Sequence, residues 1–219
     1  MGVSIVDLPR SAPLPPPKPN RLLRLAGLAA ALVLLAGVAY GGMQYYYADV
    51  PMPKERFATT HPIRVTNLPP GVADAFVAAV DPGFHDQATG LIWPSTLITK
   101  KYAVAAMGLD ESELDSWRVR VAAHKLEDWY SKPDLLGFYL TTARFDTGAT
   151  GLTEAARWYA GKDPRDLTLA EAALVAVHVG AGSTHVEQAW HRVLDTMVER
   201  GLLSAATRAG LVFPKQITH

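Results

Sequence analysis

The longest apolar segment of the chain lies near its N-terminus. Residues 25–43 contain no charged side chain and are rich in leucine, alanine, valine and glycine. At a rise of about 1.5 Å per residue, a helix of this length spans about 28 Å, which matches the hydrocarbon core of a bilayer. The pattern therefore predicts a transmembrane anchor within residues 21–47.

The residues before this segment indicate its orientation. Four basic side chains precede it against one acid, Asp7: Arg10, Lys18, Arg21 and Arg24. Because basic residues favour the cytoplasmic side, we expect the N-terminus inside and the rest of the chain outside. Residues 1–20 are rich in proline and are expected to form a polyproline-like cytoplasmic tail. A cleaved signal peptide is the alternative, but its apolar core would usually be only about 7–15 residues long.

Beyond the anchor, apolar residues recur at helical spacing. Prolines in residues 48–69 indicate a linker, and the folded domain is expected over residues 70–213. The spacing predicts a helix after Pro70 that reaches Val80. Further helices are predicted over residues 95–107, 112–129, 132–140, 169–177, 186–200 and 204–211. No strand pattern of comparable length competes, so the predicted fold class is all-α.

Two of these helices begin with clear capping signals. Ser131 precedes Pro133 and Asp134, which combines a hydroxyl cap with a proline and an acid in the first turn. Thr168 is followed three residues later by Glu171, which is the spacing of a capping box. These signals predict helix starts at Lys132 and Leu169.

Composition excludes several classes of function. The 21 basic and 21 acidic side chains balance, which argues against a nucleic-acid partner. The chain contains no cysteine, so disulfides and thiolate metal ligands are excluded. His178, His185 and His191 lack the spacing of a metal-binding motif. We therefore expect neither a metal site nor a cofactor.

One long segment of the chain resembles a known enzyme family. Residues 130–176 contain YSKPDLLGFYL, YAGK and LTLAEAAL, in the order and spacing of the peptidoglycan glycosyltransferase domain of glycosyltransferase family 51. The later run WHRVLDTMVERGLLSAA resembles the closing helices of that family. The resemblance covers about residues 70–210.

This resemblance implies a fold, a substrate and a location. Members of the family have a lysozyme-like helical fold with a cleft that opens toward the bilayer. They polymerise lipid II, a disaccharide-peptide carried on undecaprenyl pyrophosphate. The implied location is the bacterial cytoplasmic membrane, with the domain on its periplasmic or outer face. A single helical domain behind one anchor resembles the monofunctional members.

The catalytic acids of the family are missing at both expected positions. The family carries one glutamate in a segment such as AAEDRRFYEHHG, and the corresponding AAVDPGF of this chain places Val80 there. The second glutamate lies eleven residues before the tyrosine of YSK, which here is Val119. A valine side chain cannot accept a proton, so neither position supplies a general base. Asp81 is the nearest acid and would have to act from a displaced position.

Other motif positions suggest substrate contacts. The family motif GGSTITQQLAKN corresponds to a segment in which Ser95 and Thr96 are retained and Lys100 replaces the second glutamine. Glu127 matches another acid that the family commonly carries. We therefore expect Ser95, Thr96, Lys100 and Glu127 to contact substrate. Lys100 and Lys101 are candidates to face a pyrophosphate, and a solvated pair of lysines is the alternative.

These observations favour a catalytically inactive family member. Such a protein would bind lipid II, glycan strands or a protein partner in the cell envelope. One alternative is an active polymerase that uses Asp81 as a displaced base. A second is a lysozyme-like hydrolase, although hydrolysis of glycan also needs a well-placed acid.

Overall fold

The computed structural model describes residues 21–49, 62–88 and 94–215, so the predicted tail over residues 1–20 lies outside them. The chain divides into two compact units, the first ending at Asp49 and the second beginning at Val50. The first contains helix α1, Arg21–Asp49, in which Arg24–Met43 is long and apolar enough to cross a membrane. Leu28, Leu32 and Leu35 are all more than 60% exposed, which suits a helix whose neighbours are lipids.

The second unit is built from helices. Within the described residues it contains no β-strand, only two isolated bridges that join Arg144 to Thr150 and Phe145 to Val179. The predicted all-α class is therefore confirmed. Its helices are α2 (Val72–Val80), α3 (Leu97–Met107), α4 (Trp117–Trp129), α5 (Lys132–Thr142), α6 (Leu152–Ala160), α7 (Leu169–Val177), α8 (Val186–Glu199) and α9 (Ala205–Gly210).

Two groups of helices form the core. In the first, α2 packs against α7 and α8, which buries Phe76, Leu174 and Trp190 completely or almost completely. In the second, α3 packs against α4 and α5 around Ile98 and Leu126. Helix α6 contacts both α5 and α7 and so connects the two groups.

The two predicted capping signals are confirmed. The Ser131 hydroxyl accepts a hydrogen bond from the Asp134 backbone N–H, and the Asp134 carboxylate accepts one from the Ser131 N–H. Thr168 and Glu171 make the same reciprocal pair at the start of α7. Because each pair satisfies backbone donors that the helix leaves open, these starts can be recognised from local sequence.

The predicted start of the helix over residues 112–129 is wrong. Residues 111–113 form a short 3-10 turn, and α4 begins only at Trp117, after the Ser116 hydroxyl accepts a hydrogen bond from the Val119 N–H. Leu114 therefore lies outside the helix, and Trp117, its first residue, is 46% exposed. The serine cap after an acidic run decides where this helix starts.

Helix α6 was not predicted from the apolar pattern. Its buried face consists only of Leu152, Ala155 and Ala156, and no hydroxyl or acid caps its start. It begins instead after Gly151, whose φ is +82° and where a Cβ atom would lie 2.5 Å from the Thr141 carbonyl oxygen. A short alanine face and a glycine start leave little local signal.

Candidate functional site

A cavity of about 490 Å³ lies beside Val80, the last residue of α2. Eight of its eleven lining residues are alanine or valine, from α2, α7, α8 and the segment after α7: Ala78, Ala79, Val80, Ala176, Val177, Val179, Ala189 and Val193. Three polar side chains complete it: Lys101, Arg192 and Thr196. None of the described side chains in this wall is acidic. We call this space the Val80 cavity.

Two cations from different helices border the Val80 cavity. The Lys101 Nζ lies 2.9 Å from Glu111 Oε1. The Glu111 side chain is 60% exposed to solvent. Arg192 is exposed on α8, and no described acid forms an ion pair with it. The cavity wall therefore carries positive charge without an acid of its own.

Sequence reasoning named Lys100 and Lys101 and missed Arg192. Lys100 does not line the Val80 cavity, and its Nζ lies 3.0 Å from the carboxylate of the exposed Asp115. Arg192 stands three residues after Ala189 and four before Thr196, so these side chains share one face of α8. That periodicity was readable, but only the packing of α2, α7 and α8 shows that this face borders a cavity.

The second position at which the family resemblance places a glutamate lies inside the core. Val119 is the third residue of α4 and is completely buried. It does not line the Val80 cavity. The two positions that carry the family's glutamates therefore differ in environment, since Val80 is partly exposed and Val119 is not.

Asp81 participates in a structural contact. Its Oδ2 accepts a hydrogen bond of 2.7 Å from the Leu97 backbone N–H and lies 3.4 Å from the Ile98 nitrogen. These amides belong to the first turn of α3, where a carboxylate is also favoured by the helix dipole. This acid therefore links the end of α2 to the start of α3.

Three of the four predicted binding residues meet at the same helix start. Glu127 Oε1 accepts hydrogen bonds from the Thr96 backbone N–H at 2.9 Å and from Thr96 Oγ1 at 3.1 Å. The adjacent Ser95 Oγ and the second Glu127 oxygen are buried without a hydrogen-bond partner in the described part of the chain. Lys100 is one turn further along α3 and faces Asp115 instead. That Ser95, Thr96, Lys100 and Glu127 bind substrate stays a prediction.

Lys132, the lysine of the YSK motif, holds the segment after α2 in place. Its Nζ donates hydrogen bonds to the carbonyl oxygens of Phe84, His85 and Gln87, at 2.7, 2.8 and 2.7 Å. An ammonium group has three N–H donors, so these contacts use all of them. The lysine therefore fixes the backbone in the stretch that follows Val80.

The lysine of YAGK pairs with the glutamate of LTLAEAAL. Lys162 Nζ lies 2.7 Å and 2.8 Å from the two carboxylate oxygens of Glu171. Burial alone would raise the pKa of Glu171, but hydrogen bonds from Lys162 and Thr168 bring it below its usual value. Both motif residues thus stabilise the junction between α6 and α7.

A further polar cluster connects α6 with the end of α7. The Tyr159 hydroxyl donates a hydrogen bond to Asp146, whose other oxygen lies 2.8 Å from His178 Nδ1. The rings of Tyr159 and His178 are stacked at 4.1 Å. Burial would raise the pKa of Asp146, but hydrogen bonds from Tyr159 and His178 bring it below its usual value. Burial and the neighbouring Asp146 raise the pKa of the Tyr159 hydroxyl.

The helical domain and its motif residues define a transglycosylase-type domain. The sequence matches the family described as Transglycosylase over residues 95–198, from the segment before α3 into α8. This match and the similar proteins below support a transglycosylase domain of glycosyltransferase family 51 in the chain. The matched region begins at Ser95 and does not include Val80.

Several penicillin-binding proteins are similar to the chain. It is 29% identical over 265 residues to penicillin-binding protein 1A of Mycobacterium tuberculosis, covering 97% of the chain and 32% of that relative. The protein of the same name in Mycolicibacterium smegmatis is 27% identical over 247 residues, with 89% and 31% covered. Penicillin-binding protein 1F of Bacillus subtilis is 28% identical over 170 residues, with 66% and 24% covered. The chain thus spans about a third or less of the length of these relatives.

Proposed function

We propose that this domain is a catalytically inactive peptidoglycan glycosyltransferase that binds lipid II or nascent glycan without polymerising it. The observation that carries the proposal is the side chain at the end of α2. Val80 borders the 490 Å³ cavity at the position where the family resemblance places a glutamate. Transfer of a sugar to an acceptor hydroxyl needs a base, and a positioned base typically contributes about 10²–10⁴-fold to the rate.

The surrounding acids do not restore this base. Val119 is completely buried, so the second family position offers neither a carboxylate nor exposure to the Val80 cavity. Asp81 already accepts the Leu97 N–H, which favours a structural role for its carboxylate. Glu127 is engaged in the same way by Thr96. These contacts support an inactive site.

The retained motif residues have structural contacts that explain their presence without catalysis. Ser131 and Thr168 cap helices, Lys132 holds the segment after α2, and Lys162 pairs with Glu171. A protein selected only to fold and to bind would keep these contacts. They support a domain that has kept its scaffold while losing its catalytic acids.

An active polymerase that uses Asp81 is the second candidate. The observation in its favour is that Asp81 is partly exposed and that its described hydrogen bonds all involve Oδ2. The other oxygen would then accept the proton of the sugar hydroxyl. A lysozyme-like hydrolase would depend on the same carboxylate, so Asp81→Asn tests both activities.

We also propose a location for the domain. The basic residues before α1 favour a cytoplasmic N-terminus, and the domain would then lie on the outer face of the cytoplasmic membrane. Lipid-linked precursors and cell-envelope proteins are the partners accessible from that side. The anchor would raise the local concentration of a membrane-bound ligand around the tethered domain.

Incubation of the full chain with labelled lipid II in detergent micelles tests the proposed function. We expect saturable binding and no polymer, because no positioned carboxylate can deprotonate the acceptor. A penicillin-binding protein with known transglycosylase activity serves as the positive control. Polymer formation would refute the proposal, and its loss in Asp81→Asn would establish the second candidate. Absence of both binding and polymer would leave a role in protein interaction.

A further inference from the structure

We propose that the outer face of α6 and the two cavities beside it bind an acidic peptide segment of a partner protein. The residues that carry the proposal come from three parts of the chain: Arg64, Asn67, Thr153, Arg157, Trp158 and Arg165. We call them the α6 surface. None of them lines the Val80 cavity, so the inference goes beyond the proposed function and does not depend on it.

Two cavities lie on either side of the first turn of α6. A cavity of about 380 Å³ lies between Thr153, the segment before α2 and the 3-10 turn Pro164–Asp166. A second cavity, of about 530 Å³, lies between the loop over residues 147–149 and the side of α6 that carries Glu154. Because Thr153 and Glu154 are consecutive residues, the two cavities adjoin across the helix. A single ligand can therefore occupy both.

The charges around these cavities favour an acidic ligand. Arg64, Arg157 and Arg165 are exposed, and none of the ion pairs within the described part of the chain includes them. The walls also contain two acids, and each accepts a backbone N–H, Glu154 at 2.9 Å and Asp163 at 3.2 Å. Three arginines against two acids leave a positive balance. Each guanidinium can bind both oxygens of a carboxylate at once.

Trp158 adds an apolar contact beside these charges. Its side chain is 46% exposed and lines the larger cavity, whose surface is largely apolar. Tryptophan and arginine are enriched at protein interfaces and carry much of the binding energy there. An aliphatic side chain of the partner would therefore contact Trp158 while an acid contacts the arginines.

The segment before α2 presents Arg64 on a fixed backbone. The Ile63 N–H donates a hydrogen bond of 2.9 Å to Thr141 Oγ1 on α5. A Cβ atom at Gly137 would lie only 2.2 Å from the Ile63 carbonyl oxygen, so the segment packs directly against α5. A site whose backbone is already held in place needs little further ordering on binding.

The shape of the α6 surface favours a peptide over a lipid surface. A ligand that uses both cavities must cross a helix about 10 Å wide, and an extended peptide rises about 3.3 Å per residue. An acid and an aliphatic residue separated by about three residues would therefore reach one cavity each. A layer of lipid headgroups would present only polar groups to both cavities.

Fluorescence polarisation with the full chain in uncharged detergent micelles tests the proposal. The probe is a synthetic peptide of two glutamates, three glycines and a leucine, labelled with an uncharged fluorophore. We expect it to bind at least about fivefold more tightly than the same peptide with two glutamines, and about threefold more tightly than one with serine for leucine. Equal affinity for either control peptide, or no saturable binding up to about 1 mM, would overturn the proposal.

Arginine variants locate the charge contacts. We expect Arg64→Met with Arg165→Met to weaken binding of the acidic peptide about five- to twentyfold, which is two exposed charge pairs. Arg118→Met with Arg120→Met removes the same charge from exposed positions of α4 and should change the affinity less than about 1.5-fold. Equal weakening by both pairs would show an effect of net charge and would reject the site.

Tryptophan variants locate the apolar contact. Trp158→Gln should weaken binding about fivefold, as loss of an interface tryptophan does. Trp117→Gln is the matched control, because Trp117 is also 46% exposed and lies on α4. Unchanged binding in Trp158→Gln would reject the apolar part of the surface. Circular dichroism of each variant checks that the helical fold is kept.

A soluble anionic lipid distinguishes a peptide partner from a membrane. Dihexanoyl phosphatidylglycerol carries the headgroup phosphate without forming a bilayer. We expect the unlabelled acidic peptide to displace the probe at lower concentration than this lipid does. Displacement by the lipid at equal or lower concentration would assign the α6 surface to a lipid headgroup and overturn the proposal. Polymerisation of lipid II would refute the proposed function but would leave these results unaffected.

Discussion

At the scale of single residues, the two missing glutamates have different consequences. Val80 ends α2 at the edge of a cavity, and Val119 is packed inside α4 with no exposed surface. A charged side chain at Val80 can reach water, whereas one at Val119 would lose its hydration. Substituting glutamate at these two positions therefore tests how far each is exposed to water as well as whether catalytic activity returns.

We expect Val119→Glu to destabilise the domain and Val80→Glu to be tolerated. Burying a carboxylate at a fully enclosed position should lower the free energy of unfolding by about 2–5 kcal/mol, or shift its pKa strongly upward. Val80→Glu should stay within about 1 kcal/mol of the parent, because the site is partly exposed. Thermal unfolding followed by circular dichroism measures both, with Val119→Gln as the uncharged control. Equal stability of the two glutamate variants would show that Val119 is not enclosed.

At the scale of elements, some positions are fixed by residues close in sequence and others by contacts between residues distant in sequence. The starts of α5 and α7 follow from caps within four residues. The segment after α2 has no comparable local signal, and its backbone is held by Lys132 from the start of α5. This contact joins residues more than 40 positions apart, so packing decides it.

Lys132→Met should loosen the segment after α2. Three carbonyl oxygens lose a charged donor, which should lower the free energy of unfolding by about 2–3 kcal/mol. Hydrogen exchange of the amides of residues 84–87 should accelerate. Lys100→Met is the matched control, because its ion pair with the exposed Asp115 should contribute less than about 1 kcal/mol. Unchanged exchange in Lys132→Met would show that other contacts hold the segment.

The stability of the domain should depend on pH through the carboxylate of Asp146. Its folded pKa lies below the usual 3.8, so the ionised carboxylate stabilises the fold at higher pH. This contribution is complete above the unfolded pKa and is lost as the pH falls through the folded value. The difference in melting temperature between the parent and Asp146→Asn should therefore be constant near pH 5 and shrink below about pH 4. Asp128→Asn, at an exposed position of α4, should show no such trend.

At the scale of the whole molecule, the chain combines a membrane-type helix with a folded transglycosylase domain. Residues 24–43 have the length and apolarity of a membrane span, and the domain beyond them keeps the caps and ion pairs of its family motifs. Val80, beside the cavity, and Val119, in the core on α4, stand where the family resemblance places glutamates. This contrast is the physical basis for proposing a binding protein rather than a polymerase.

Much of the fold was predictable because helices are stabilised by neighbours along the chain. The helical class and the starts of α5 and α7 follow from residues within one or two turns of one another, and the anchor follows from its length and apolarity. The start of α4 and the existence of α6 were not predicted, since Ser116 and Gly151 act through single contacts that resemble those of ordinary loops. The four predicted binding residues were named from motif letters, and only their common location around α3 comes from the structure.

The sequence by itself determined the apolar span, the all-α class, the family resemblance and the absence of glutamate at positions 80 and 119. Each of these depends on residue type, local spacing or motif order. Only the tertiary structure decided that Lys101 and Arg192 border one cavity, that Val119 is enclosed and that Asp81 binds the start of α3. Those properties arise where helices distant in sequence pack together, and no local sequence pattern predicts which side chains come into contact there.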